Sequence, residues 1–127
     1  MPESGDIVEF YSRIAGKRKF HLCLCIGEVD GIYKFLMINS KSGFKSDVVF
    51  NDGEIPGLPT SATGESVISL SQIARVRADK LNIWQPKVIG KIPNPIILNL
   101  QEAITDMPTL TKTDKDWLSS VLSDILD

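Results

Sequence analysis

Cysteine and histidine are scarce in this chain of 127 residues, which has two of the first, Cys23 and Cys25, and one of the second, His21. Both thiols would lie on one face of the same strand, a poor geometry for an unstrained bridge, so they read as free thiols of a reducing compartment. Cys-x-Cys with a single nearby histidine falls two ligands short of a structural zinc site. Small buried apolar side chains are the simpler reading, and no metal or cofactor is expected. No apolar run reaches the roughly 18 residues of a membrane span, and the start Met1-Pro2-Glu3-Ser4-Gly5-Asp6 lacks the cationic and apolar pattern of a signal peptide. A cytoplasmic protein with no membrane partner is expected. Charge of one sign is also missing. The net charge is −2, but residues 1–100 hold 12 Lys/Arg against 10 Asp/Glu while residues 101–127 hold 2 against 6, a mildly basic body with an acidic tail. The strongly basic footprint of many nucleic-acid-binding domains is therefore absent. There are no internal repeats and no low-complexity tract.

What is present fits one core: 127 residues with 43% hydrophobic composition predict a single domain over 1–127. The organising stretch is Lys17-Arg18-Lys19-Phe20-His21-Leu22-Cys23-Leu24-Cys25-Ile26, three cations running into an apolar strand. Alternation puts Phe20, Leu22, Leu24 and Ile26 on a core face and Lys19, His21, Cys23 and Cys25 on the other. Before it, Ile7–Tyr11 reads as a strand with Val8 and Phe10 on one face and Glu9 as a solvated edge residue. Residues 13–18 read as a loop presenting Arg13, Lys17 and Arg18. Asp30-Gly31 signals a hairpin turn, so Ile32–Ile38 returns as the neighbouring strand. Its polar end, Asn39-Ser40-Lys41-Ser42-Gly43, should approach Lys17–His21, and the two stretches are either a joint anion-binding site or two ordinary loops.

Further strands are expected at Asp47–Phe50, Glu65–Leu70 and Lys87–Ile92, with Gly53, Pro56, Gly57, Pro59 and Gly64 keeping 51–64 irregular. A segment so punctuated is a substrate-covering loop or a plain connection. The period then changes. Asn94-Pro95 suits a helix start, and Ile96, Ile97, Leu100, Ala103 and Ile104 form an amphipathic stripe. A second helix is expected from Thr113, with Trp117, Leu118, Val121, Leu122, Ile125 and Leu126 as its apolar stripe. The pattern predicts a mainly β barrel over about 5–92 with two carboxy-terminal helices at about 94–106 and 113–126. The apolar third strand and the two helix stripes suggest more hydrophobic surface than one core absorbs, and hence a homodimer.

The order of Gly5-Asp6-Ile7-Val8, Gly16-Lys17-Arg18-Lys19, Ser66-Val67-Ile68-Ser69-Leu70-Ser71-Gln72-Ile73 and Val88-Ile89-Gly90-Lys91-Ile92 resembles the MazF/PemK (Kid-like) toxins of toxin-antitoxin systems over roughly residues 5–104. The resemblance implies a Src-homology-3-like small barrel with appended helices that forms homodimers and cleaves single-stranded RNA without metal. A cognate antitoxin with an acidic, disordered segment would block its groove. Carried over, the family's arginine before the second strand falls on Lys19, with Arg18 one position earlier, and its polar residue after the third strand falls on Asn39 or Ser40. After Gln-Ile the family commonly has Arg-Thr-Ile-Asp, whereas this chain has Ala74-Arg75-Val76-Arg77, which displaces the arginine by one residue and so to the other strand face.

Metal-independent RNA cleavage needs a base, an acid and cations for the phosphate. The expected catalytic group is Lys19, Arg18, His21 and Ser40, with Lys17, Asn39, Lys41, Ser42, Arg75 and Arg77 as RNA contacts. His21 is either a proton shuttle or a hydrogen-bonded residue at the barrel mouth, and Arg75 and Arg77 are either phosphate contacts or an exposed edge pair. Two rival functions stand beside the nuclease: a non-catalytic barrel that grips nucleic acid or protein, and a gyrase-poison-type toxin of related fold.

Overall fold

The computed structural model describes residues 2–12, 16–25, 31–40, 47–61, 63–71, 73–108 and 110–126. Arg13, Ile26, Asp30, Lys41, Ser42, Gly43 and Gln72, used above, lie outside the described residues. Seven strands follow in order: β1 (Asp6–Ser12), β2 (Lys17–Cys25), β3 (Ile32–Asn39), β4 (Asp47–Asn51), β5 (Glu65–Ser69), β6 (Ala74–Arg77) and β7 (Lys87–Lys91). A helix α1 (Ala78–Ile83) separates β6 from β7, and α2 (Asn94–Thr105) and α3 (Lys112–Ile125) close the chain. The strands form one antiparallel sheet of order β4-β5-β3-β2-β1-β7. β6 joins it beside the first half of β3, while β5 takes the last residues of β3. Two strands sharing one edge of β3 curl the sheet, giving a mainly β half-barrel with helices at its carboxy-terminal end.

Over His21–Leu24 both faces of β2 are buried. Leu22 and Leu24 join Ile7, Leu36, Ile68, Leu100, Leu118 and Leu122 in the principal core, which α2 and α3 cover. Cys23 belongs to a second cluster with Val8, Phe10, Tyr33, Phe35 and Leu81, covered by α1. The carboxy-terminal stripes lie where their 3.6-residue period puts them, with Ile96, Ile97, Leu100 and Ile104 of α2 and Leu118 and Leu122 of α3 buried. The rest of the α3 stripe, Trp117, Val121, Ile125 and Leu126, is half-buried against the same core. The exposed large apolar side chains lie elsewhere, at Tyr11, Val49, Ile83, Val88 and Leu98.

Four expectations differ in detail. Lys17 and Arg18 are strand residues, paired with Ser12 and Tyr11, because the β1–β2 ladder runs to the tip of the hairpin. Glu9 lies inside the sheet, flanked by β2 and β7, where it is half-buried against Arg18. α3 is capped by Thr111, whose side chain accepts from the Asp114 N–H at 3.1 Å. Both Thr111 and Thr113 precede an Asp by three residues, and the buried Leu110 fixes the earlier one in place. α1 has two turns and no side-chain cap, so its only mark in the sequence is Leu81, which is fully buried.

The loop after β4 is held against β7 by a close backbone approach. A Cβ on Gly57 would meet the Ile89 carbonyl oxygen at 2.2 Å, and one on Gly90 would meet that of Pro56 at 2.4 Å. Gly57 also has φ +90°, a value open to glycine at little cost. The loop is thereby fixed over the mouth formed by β2 and β3.

Candidate functional site

The cations at the start of β2 alternate between two sides of the sheet. Lys17 and Lys19 pair with Ser12 and Phe10, and His21 with Val8, so all three share the face of the second apolar cluster. Arg18 pairs with Tyr11 on the opposite face. Its guanidinium is spent on structure: Nε donates to Glu9 Oε1 at 3.2 Å, Nη1 to the Trp84 carbonyl at 3.0 Å, and Nη2 to the Glu9 and Gln85 carbonyls at 3.0 and 3.1 Å. Gln85 is the one non-glycine residue with positive φ among the described residues, at 49°, so Arg18 clasps a strained turn.

Lys17 and Lys19 lie within 4 Å of no carboxylate among the described residues. The ammonium of Lys19 has a pKa below its ordinary value, chiefly because partial burial penalises its charge and secondarily because Lys17 repels it. β3 brings Asn39 to this point: Phe20 pairs with Ile38, and one more step of that register sets Lys19 opposite Asn39. The Ser40 carbonyl accepts from the Thr63 hydroxyl at 3.0 Å, while Ser61 and Thr63 both donate to the Glu65 carbonyl. Asp52 accepts the Ser61 N–H at 3.1 Å. These bonds anchor Ser61 and Thr63, and a cavity of about 240 Å³ lies between Leu58–Ser61 and β2, lined by Lys17–Phe20, Ile38–Ser40, Leu58–Ser61 and Ser66.

His21 is not part of that cavity. It is 2% exposed, its ring stacks on Phe10 at 3.9 Å and 12°, and Nδ1 lies 3.1 Å from the Lys19 carbonyl oxygen. Burial pushes its pKa from 6.5 down to about 4, with Lys19 adding to the fall, against the opposing pull of backbone hydrogen bonds to Lys19 and Val8. The ring is neutral at pH 7 and has one N–H to give to these backbone groups. His21 forms the floor of a second cavity of about 250 Å³ with Phe10, Tyr11, Ser12 and Met37, bounded by Ile73–Val76 and Trp84.

The predicted residues are thus divided. Lys17, Arg18, Lys19, Asn39 and Ser40 converge on the first cavity, and His21 and Arg75 line the second. Arg77 stands apart in an exposed ion pair with Asp79 at 2.9 Å. Lys41 and Ser42 lie outside the described residues. Thr60 and Ser61 were not singled out by sequence reasoning, although the glycine and proline density of 51–64 marked their loop, and Ser66 of β5 was read only as a strand residue. Trp84 and Tyr11 carried no signal, being single aromatics outside any periodic pattern. No group of three or more His, Cys, Asp and Glu placed to share a metal ion occurs among the described residues, and no described helix is long and apolar enough to cross a membrane.

No protein-family model and no curated protein matches the chain. Among solved structures, the crystal structure of MazF (Form-I) from Deinococcus radiodurans superposes with a TM-score of 0.51 at 15% identity, over 80% of this chain and 91% of that one. The chain has a MazF-like fold. At this identity the likeness is one of architecture.

Proposed function

We propose that the chain is a growth-inhibiting toxin of the MazF kind that cleaves single-stranded RNA without a metal, with its phosphate site at Lys19. The observation that carries this reading is the pair Lys17 and Lys19 on one strand face. Neither has a carboxylate partner among the described residues, and Lys19 lies across from Asn39 at the mouth of a cavity on a MazF-like fold. Lys19 then holds the scissile phosphate as charge develops on it, and Asn39 and Ser40 supply hydrogen bonds. The lowered pKa of Lys19 brings it nearer the range in which an ammonium gives up a proton to a leaving oxygen near neutrality. Arg18 supports the turn at Gln85, and His21 positions Lys19 through its backbone carbonyl. The protein works in the cytoplasm as a homodimer, with Ile83 and Val88 as the apolar surface offered to a second copy. An antitoxin with an acidic disordered segment blocks the groove by competing for Lys17 and Lys19.

Single-turnover cleavage of single-stranded RNA by Lys19→Ala tests the reading. The rate should fall about a hundredfold or more, while binding weakens far less. A second reading is favoured by the locked Arg18 and the neutral His21, which leave the first cavity without a histidine or a free arginine: a barrel of the same fold that binds RNA and leaves it intact. Wild-type protein that binds RNA in a salt-dependent way, cuts no sequence and causes no growth arrest would establish that alternative.

A further inference from the structure

The cavity on the His21 side is lined mainly by rings and apolar side chains. Phe10 lies between His21 at 3.9 Å and Trp84 at 6.1 Å, with all three rings within about 12° of parallel to their neighbour, and Tyr11 meets Trp84 at 6.2 Å from the rim. At about 250 Å³ it is smaller than the roughly 300–1,000 Å³ of drug-sized pockets, which suits one planar ring system. Its position relative to the cations limits what that ring belongs to. Lys19 is the cross-strand partner of Phe10, and Lys17 that of Ser12, so two lysines without carboxylate partners among the described residues share the sheet face of the aromatic floor, and Arg75 lines the cavity itself. Lys19 lines the first cavity and stands one cross-strand step from Phe10 of the second. A positive edge beside stacked rings is the arrangement by which proteins hold single-stranded nucleic acid, with phosphates on the cations and bases on the rings.

We infer that the Phe10–Tyr11–Trp84 cavity receives one base of a single-stranded RNA whose adjoining phosphate is held by Lys19. The inference rests on the reading of the Lys19 groove as an RNA site and adds a base subsite to it. Trp84, Tyr11 and Met37 set which base is accepted, by ring size and by what the rim leaves open. Lys19 to His21 spans two strand residues, about 6.6 Å, a separation of the order of that between a phosphate and the base of its own nucleotide.

The chain has two tryptophans, so Trp117→Phe leaves Trp84 as the sole emitter. In that background, titration with nucleoside 5′-monophosphates should quench Trp84 saturably, and ribose 5-phosphate should not. Tyr11→Ser, a surface change, should weaken the nucleotide effect severalfold, and Lys19→Ala should weaken it further. Equal quenching by nucleotides and ribose 5-phosphate, or none by either, overturns the inference. So does shielding of Trp84 from acrylamide that rises with protein concentration in step with dimer mass, because a second copy then fills the cavity. An RNA oligonucleotide that binds through Lys17 and Lys19 without changing Trp84 emission removes the base subsite and leaves the groove standing. Saturable quenching by mononucleotides in a protein that binds no RNA supports the cavity and sinks the groove reading.

Discussion

The buried imidazole of His21 should make the fold acid-sensitive in a way that one substitution isolates. In the native chain the ring is 2% exposed and stacked on Phe10, and its pKa is about 4 against 6.5 for a free histidine. Between those values the unfolded chain binds a proton that the native chain refuses. Stability therefore falls as pH drops below 6.5 and stops falling, for this group, below about 4. Each unit of difference is worth about 1.36 kcal/mol, so the full loss is on the order of 3 kcal/mol, with about 2 kcal/mol already gone at pH 5. That is a large part of the roughly 5–15 kcal/mol that holds a domain of this size together. The assay is the urea midpoint and slope at intervals from pH 7.5 to 4.5 for wild type and for His21→Leu, which has a similar volume and no titrating group. The variant should be less stable at pH 7, having lost the Nδ1 contact to Lys19 and the stack. Carboxylates titrate in both proteins and cancel in the difference, so the gap between them should narrow on acidification by about 2 kcal/mol at pH 5. Parallel curves would refute the argument, as would a His21 ring that titrates near 6.5 by NMR in the folded protein.

Arg18→Ala removes a guanidinium with four acceptors, but one that is 42% exposed, so solvent discounts the Glu9 pair. A loss of about 1–2 kcal/mol in urea unfolding is expected, with a smaller effect on RNA cleavage than Lys19→Ala. Gly57→Ala forces a Cβ against the Ile89 carbonyl at a residue with φ +90°, and should destabilise by about 2 kcal/mol or more, read as a fall in Tm. Arg77→Ala breaks only an exposed ion pair and should leave both stability and RNA binding within about 0.5 kcal/mol of wild type. Charge reversal at Lys17 should weaken capture of an acidic antitoxin segment as well as RNA, measured by pull-down and by salt-dependent binding; retention of either at full strength would place that partner elsewhere.

The strands and the last two helices were legible because their signals are periodic and long. Leu22 and Leu24 alternate on β2, and the α2 and α3 stripes repeat over three to four turns. What stayed hidden is short or aperiodic. α1 has six residues, and its single buried side chain, Leu81, sets no period. Its presence explains why the other face of β2 is also buried: Cys23 and His21 need a cover, and a two-turn helix with Trp84 behind it supplies one. The extent of the β1–β2 ladder was hidden for a different reason. Lys17 and Arg18 read as loop by composition, yet Arg18 finds four acceptors on Glu9, Trp84 and Gln85, and these make an extended backbone there favourable.

The site was legible in position and not in assignment, and the reason is alternation. Lys17, Lys19 and His21 share a face, but only the structure shows that this face carries a second cluster and closes over the imidazole. The departure at Ala74–Arg77 follows the same rule. Ala74 and Val76 pair with Phe35 and Tyr33, apolar positions under α1, while Arg75 pairs with Lys34 and Arg77 with Ile32. An arginine at position 74 would enter the register of Phe35, where Ala74 now packs against the second cluster. Arg18 is committed to Glu9 and the Gln85 turn, which leaves Lys17 and Lys19 as the lysines lining the first cavity with Asn39, and the proposed phosphate contact falls to Lys19. Lysine there is a point charge and not a bidentate fork, so a Lys19→Arg variant tests whether the site needs charge alone. If the groove evolved around an ammonium with a lowered pKa, the arginine should keep RNA binding and lose single-turnover cleavage at neutral pH, since a guanidinium does not give up its proton. Cleavage restored or raised by Lys19→Arg would show instead that the residue acts only by holding charge on the phosphate.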